Sequence, residues 1–200
     1  MTVPARVTAG VDGSPLALAG RPRDAGAFPG GGRRVPLGSD VIDGRYLPIY
    51  LNDHRAGALA GLELAKRAAG SNEDSDYGEP LRRIAQEIDE DVDALDEIME
   101  ALGVGHDRIK MIAAFVGEKL GRLKLNGQIT GYSPLSRLVE LEGLTLGVEG
   151  KLRLWRSLLE LAPLDSRLDE ARLDELARRA DRQRRTLERL RRRAAGEALA

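Results

Sequence analysis

Between Pro134 and Leu161 the chain reads PLSRLVELEGLTLGVEGKLRLWRSLLEL, with apolar positions on two sides of one helix. At the helical advance of about 100° per residue, Leu138, Leu141, Val148, Leu152 and Leu159 make one stripe. Val139, Leu146, Leu154, Leu158 and Leu161 make a second, roughly opposite, with Gly143, Gly147 and Gly150 along it. A helix apolar on both sides has to be covered on both sides, which predicts a place inside a helical bundle.

Four further segments carry a helical period. The first runs from about Pro48 to Ala69 and stops at Gly70. An acidic loop, SNEDSDYGE, follows. Pro80 then opens a second helix reaching about Leu102, with Leu81, Ile84, Ile88, Val92, Leu95, Met99 and Leu102 at helical spacing. Gly103 and Gly105 break it. A third is expected over about 107–125, with Ile109, Ile112, Val116, Leu120 and Leu123 inward. Ser133 is placed to cap the doubly apolar fourth helix, with Pro134 at its first position. After Pro163 a fifth starts near Asp169 and extends toward residue 198. Its Leu173, Leu176, Ala180, Gln183, Leu187, Leu190 and Ala194 alternate at three and four, the spacing of a coiled-coil seam.

Glycine pairs at spacing four, Gly57/Gly61, Gly117/Gly121 and Gly143/Gly147, fall inside these helices. Each interior glycine costs ~1 kcal/mol relative to alanine. Close approach of two backbones is the simplest recovery, and the inward position of Gly57 and Gly61 predicts it there.

Composition narrows the chemistry. The chain has 200 residues, enough for one domain and a tail, with 31 basic and 32 acidic side chains. That balance gives no overall bias toward nucleic acid or membrane. The absence of cysteine removes disulfides, thiolate catalysis and cysteine zinc sites. No apolar run has the length of a membrane span or the form of a secretory leader, so the expected location is the cytoplasm. Residues 1–44, rich in Gly, Pro and Arg, are expected to be disordered.

Bundles build sites from side chains that share a face with the apolar stripe. His54 does so in the first helix and Asp91 in the second, with Glu87 at the margin. Glu142, Glu149 and Arg156 form an edge strip on the fourth, expected to face the imidazole of the first. His54, Asp91, Glu142 and Glu149 are therefore the candidate ligands for iron, manganese or zinc. The alternative for Asp91 is a buried ion pair with Lys119 of the third helix.

Four helices of this length with inward acids resemble the ferritin-like superfamily over about residues 46–162. The segment EIDEDVDALDEIMEALG (87–103) is similar to the second helix of its small members. The resemblance implies an antiparallel four-helix bundle. The family's di-iron site takes a Glu from each of two helices and Glu-x-x-His from the other two. Here Glu87 is followed three residues on by Glu90, Glu142 by Thr145 and Glu149 by Leu152, so the resemblance implies a standard centre that is lost or replaced.

The expected fold is all-α: an antiparallel, ferritin-like four-helix bundle over 45–163, preceded by the tail. A long amphipathic helix over 164–200 packs on the bundle or on a partner. The expected function is that of a non-catalytic interaction or structural bundle, without a cofactor, acting as a homo-oligomer or on a protein partner. Two alternatives stand beside it: an atypical metal-binding or oxidoreductase bundle, and nucleic-acid association through the arginine-rich last helix.

Overall fold

The computed structural model describes residues 44–105 and 132–200. The predicted third helix, with Gly117, Lys119 and Gly121, and His106 in the loop before it lie outside the described residues, as does the tail up to residue 43.

Four helices make up the described chain: α1 (Leu47–Gly70), α2 (Gly78–Ala101), α3 (Pro134–Leu161) and α4 (Glu170–Leu199). A 3-10 turn, Ala162–Leu164, joins the last two. No strand occurs among the described residues, and none of the helices there is long and apolar enough to cross a membrane. The boundaries follow local chemistry. The Ser133 side chain accepts a hydrogen bond from the Ser136 N–H at 3.0 Å, and Asp169 does the same for Arg172 at 3.1 Å. Each satisfies one of the N–H groups that a helix start leaves without a partner, worth about 1 kcal/mol. Gly103, just past α2, has a φ of 70°, a left-handed conformation that glycine adopts without strain.

The core has two apolar halves. One gathers Leu64 and Ala65 of α1, Leu81 to Val92 of α2, Leu138 to Val148 of α3 and Leu187 to Ala194 of α4. The other gathers Leu51, Ala94 to Leu102, Leu152 to Leu158 and Leu173 to Ala180. Every seam residue expected in the last helix is buried, Gln183 included. The first stripe of α3 is buried at Leu138, Leu141, Val148 and Leu152. The second stripe departs from expectation: Leu154 and Leu158 are buried, but Leu146 is 75% exposed.

The glycines also depart from it. A methyl placed on Gly57, Gly61 or Gly147 would meet no described heavy atom within 4 Å, so close backbone approach does not occur there among the described residues. Of the paired glycines described, Gly143 alone is tight, with its virtual Cβ 3.2 Å from Leu64 Cδ2. The other three border open space between α1 and α3 instead.

Candidate functional site

Where the two apolar halves meet, α2, α3 and α4 each contribute a polar residue to one buried layer. Asp91 is the centre, with a side chain 1% exposed. One of its oxygens accepts from Arg179, and the other from Lys151 and, at 3.3 Å, from the Gln183 amide. Lys151 also donates to Gln183 Oε1 at 2.7 Å, and Gln183 donates to Glu87 at 2.9 Å. Arg179 reaches out to Glu90 at 2.8 Å. Burial pulls the Lys151 ammonium below the usual lysine pKa, and the Asp91 carboxylate opposes that pull. Among the described residues, the cations on Asp91 are Lys151 and Arg179; Lys119, the partner expected from the sequence, lies outside them.

The four candidate ligands do not converge. His54 and Asp91 line the same cleft between α1 and α3. His54 is half-buried and meets the Tyr50 ring edge-on, with centroids 4.5 Å apart. Burial lowers its pKa below 6.5, against the nearby Asp53 charge, so the imidazole is neutral at pH 7. Glu142 and Glu149 turn toward α4 rather than toward His54, each 3.9 Å from an arginine, Arg191 and Arg184 respectively. Opposite charge on that side accounts for the turn. Glu149 also pairs with Arg153 at i,i+4, as its spacing suggests. Among the described residues, no three His, Asp or Glu side chains form a donor set for a metal ion. Asp91, the most buried of the four, already has both oxygens engaged by cations and an amide.

The cleft itself has a volume of ≈ 470 Å³. Its walls include Leu95, Leu144, Leu154 and Trp155, with Lys151 and Asp91 at one side and Gly57, Gly61, Gly147 and Gly150 along it. Trp155 is 1% exposed, and among the described residues its buried indole N–H has no acceptor.

A second polar cluster ties the helix ends together. Glu140 accepts from Arg67 at 3.0 Å and from Tyr132 at 2.9 Å. Buried Asn72 donates to Tyr132 and accepts from Arg137 at 2.6 Å, and Arg137 reaches Glu197 of α4 at 2.8 Å. The guanidiniums of Arg137 and Arg193 lie 4.4 and 4.9 Å from the centre of the Tyr77 ring. Sequence reasoning passed over Asn72, Tyr132, Glu140 and Lys151. The first two sit in polar loops, and the charged pair reads as solvated surface. Only for Lys151 was a signal present: it shares a helical face with Val148 and Trp155.

The arginines of α4 are largely matched by acids on the same helix. Arg178 pairs with Asp174, Arg184 and Arg185 with Asp181, and Arg191 and Arg192 with Glu188. Such pairing reduces the field that a polyanion would sense. No protein-family model matches the chain, and neither a curated protein nor a solved structure does.

Proposed function

We propose that this protein is a non-catalytic helical-bundle module that self-associates, and that residues 45–163 form an antiparallel, ferritin-like four-helix bundle on which α4 packs. What supports the arrangement is the order of the contacts. Arg55 pairs with Asp96 and Lys66 with Asp89, so positions rise along α1 as they fall along α2. The same reversal links α1 to α3 through Tyr50–Ser157 and Arg67–Glu140, and α3 to α4 through Arg137–Glu197 and Lys151–Gln183. It links α2 to α4 through Glu87–Gln183 and Glu97–Arg172.

The observation that carries self-association is Leu146. It belongs to an apolar stripe in which Leu154 and Leu158 are buried, yet it stands 75% exposed. A leucine so exposed on an otherwise covered stripe suits insertion against a second copy. The buried polar layer favours a structural role over catalysis, because its charged groups satisfy one another. Sedimentation equilibrium of the full chain tests the reading. The wild type should be dimeric or larger, and Leu146→Glu should shift it to monomer. A wild type that stays monomeric at roughly 100 µM, where even weak association registers, would end it.

A further inference from the structure

Two helix faces of opposite charge turn outward, and each keeps charges that no described residue neutralises. On α4, nine arginines and two acids fall between Arg178 and Arg193. Arg178, Arg182, Arg185, Arg189 and Arg192 recur at spacings of four and three, and all five are exposed. They form one stripe about 21 Å long, at 1.5 Å per residue. Three of them are paired within the helix: Arg178 with Asp174, Arg185 with Asp181 and Arg192 with Glu188. Arg182 and Arg189 pair with no acid among the described residues. On α2 the run from Glu87 to Glu100 has eight acids and no base. Asp89, Asp93, Glu97 and Glu100 are exposed along its outer side. Asp89 reaches Lys66 and Glu97 reaches Arg172, but Asp93 and Glu100 reach no cation among the described residues.

The four charges left over share one geometry. Asp93 and Glu100 are seven residues apart, two turns along the same face, and so are Arg182 and Arg189. A heptad advances about 10.5 Å on either helix, so both acids can meet both arginines when one outer face lies along the other. Within one copy they do not meet. There α2 and α4 are joined through their inner sides, by Asp91–Arg179 and Glu87–Gln183, which leaves both stripes facing away. A second copy can supply the missing face. Whole copies do not repel one another strongly, since the chain's formal net charge is −1.

We propose that copies associate by seating the acidic face of α2 on the arginine stripe of a neighbouring copy's α4, with Asp93 and Glu100 pairing with Arg182 and Arg189. This rests on the self-association proposed above and gives it a contact surface. Leu146 fits the same side of the molecule. The pairs Glu149–Arg184 and Glu142–Arg191 put it level with the turn of α4 that holds Glu188 and Arg189. A nucleic acid is the other polyanion that an arginine stripe suits. Two features favour the protein partner. α4 has no aromatic side chain on which a base would stack, and Asp174, Asp181 and Glu188 edge the stripe where a continuous phosphate chain would lie.

Sedimentation equilibrium of the full chain at about 50 mM and about 500 mM NaCl tests the contact, because salt screens exposed charges. Association should weaken roughly tenfold or more at the higher salt. One variant carries Arg182→Glu with Arg189→Glu, and a second carries Asp93→Arg with Glu100→Arg. Each sets like charge against like, so each alone should associate roughly tenfold or more weakly than wild type while keeping its helical circular dichroism. Mixed in equal amounts, the two should recover to within about threefold of wild type, since the reversed α4 of one meets the reversed α2 of the other. Weakening of the separate variants with no recovery on mixing would overturn the proposal. A wild-type oligomer that high salt and both variants leave intact would overturn it too, while self-association itself would stand. A wild type that is monomeric at low salt would end both. Dissolution of the oligomer by a DNA duplex of about 20 base pairs, bound more tightly than the second copy, would assign the stripe to nucleic acid instead.

Discussion

Truncating Asp91 to alanine tests the buried layer at its centre. The carboxylate holds Lys151, Arg179 and Gln183 together, and its own side chain is 1% exposed. Its removal leaves the Lys151 ammonium, itself only 10% exposed, beside an amide and a guanidinium with only the weaker pull of Glu87 to balance it. Arg179 suffers less, because it is 20% exposed and keeps Glu90. Breaking a buried pair from one side costs about 3–5 kcal/mol. Against a total stability of about 5–15 kcal/mol, that is a large fraction. For a chain of this size it corresponds to a fall in Tm of about 6–20 °C, at about 2–4 °C per kcal/mol. Glu149→Ala, which breaks a partly exposed i,i+4 pair with Arg153, is the control and should cost only about 0.3–0.5 kcal/mol. Urea unfolding followed by Trp155 emission measures both. The decisive arm is the double variant Asp91→Ala, Lys151→Met. If the single loss comes from a stranded charge, removing that charge should recover more than half of it. A single variant costing under about 1 kcal/mol, or a double variant whose losses simply add, would refute the reasoning.

Two further predictions follow from the same structure. Gly57→Ala and Gly147→Ala should each stabilise by about 0.5–1 kcal/mol in thermal or urea unfolding, since a methyl at either meets no heavy atom of the described residues within 4 Å. Gly78→Ala should destabilise, because its Cβ would lie 2.6 Å from the Asn72 carbonyl oxygen. Acid should weaken the fold in a defined window. Hydrogen bonds from Arg167, Arg184 and Arg191 hold Asp165, Asp181 and Glu188 below their ordinary values of 3.8, 3.8 and 4.5, Glu188 at about 2. These carboxylates therefore favour the folded state above about pH 4.5 and lose that contribution as pH falls toward 2. His54 acts earlier: it protonates near 6.5 when unfolded but only at lower pH when folded, so acidification through 6.5 already favours unfolding. Two-dimensional NMR titration of Glu188 and unfolding midpoints across pH 2–8 check both signs.

What the sequence disclosed and what it withheld divide along the range of the interactions. Helix limits depend on near neighbours, so Ser133, Pro134, Asp169 and Gly103 mark them correctly, and the three-four spacing of Leu173 to Ala194 identifies the buried face of α4. Partnership between helices is not local. Asp91 sits visibly on an apolar face, but whether its cation comes from Lys119, Lys151 or Arg179 depends on which helices are neighbours and in what register. Lys151, between Gly150 and Leu152 in a charged stretch, reads as a surface residue until α2 and α4 enclose it. The glycines show the same limit. Spacing four describes a close helix crossing and a cleft wall equally well, and only the separation of α1 and α3 distinguishes them.

The polar layer also accounts for something that leucines alone do not provide. The seam of α4 repeats every seven residues, so sliding α4 by one heptad, about 10.5 Å, would put Leu176 or Leu190 where Gln183 now lies. Apolar packing would change as well, because leucine and alanine would trade places along Leu173, Ala180, Leu187 and Ala194. Lys151 and Asp91 would change a great deal. They would lose the Gln183 amide and face an aliphatic side chain instead, and in the slide that brings Leu190 there Thr186 would also replace the guanidinium of Arg179. A charged pair left without its remaining hydrogen bonds in that setting is unfavourable by several kcal/mol. The gap between the observed register and its slipped neighbours thus resides in the buried polar layer together with the alternation of leucine and alanine in the two apolar halves. Lys151, Asp91 and Gln183 add little net stability as a set. Their effect is to fix which turns of α2, α3 and α4 stand level, and so to hold Lys151 and Trp155 on the wall of the cleft.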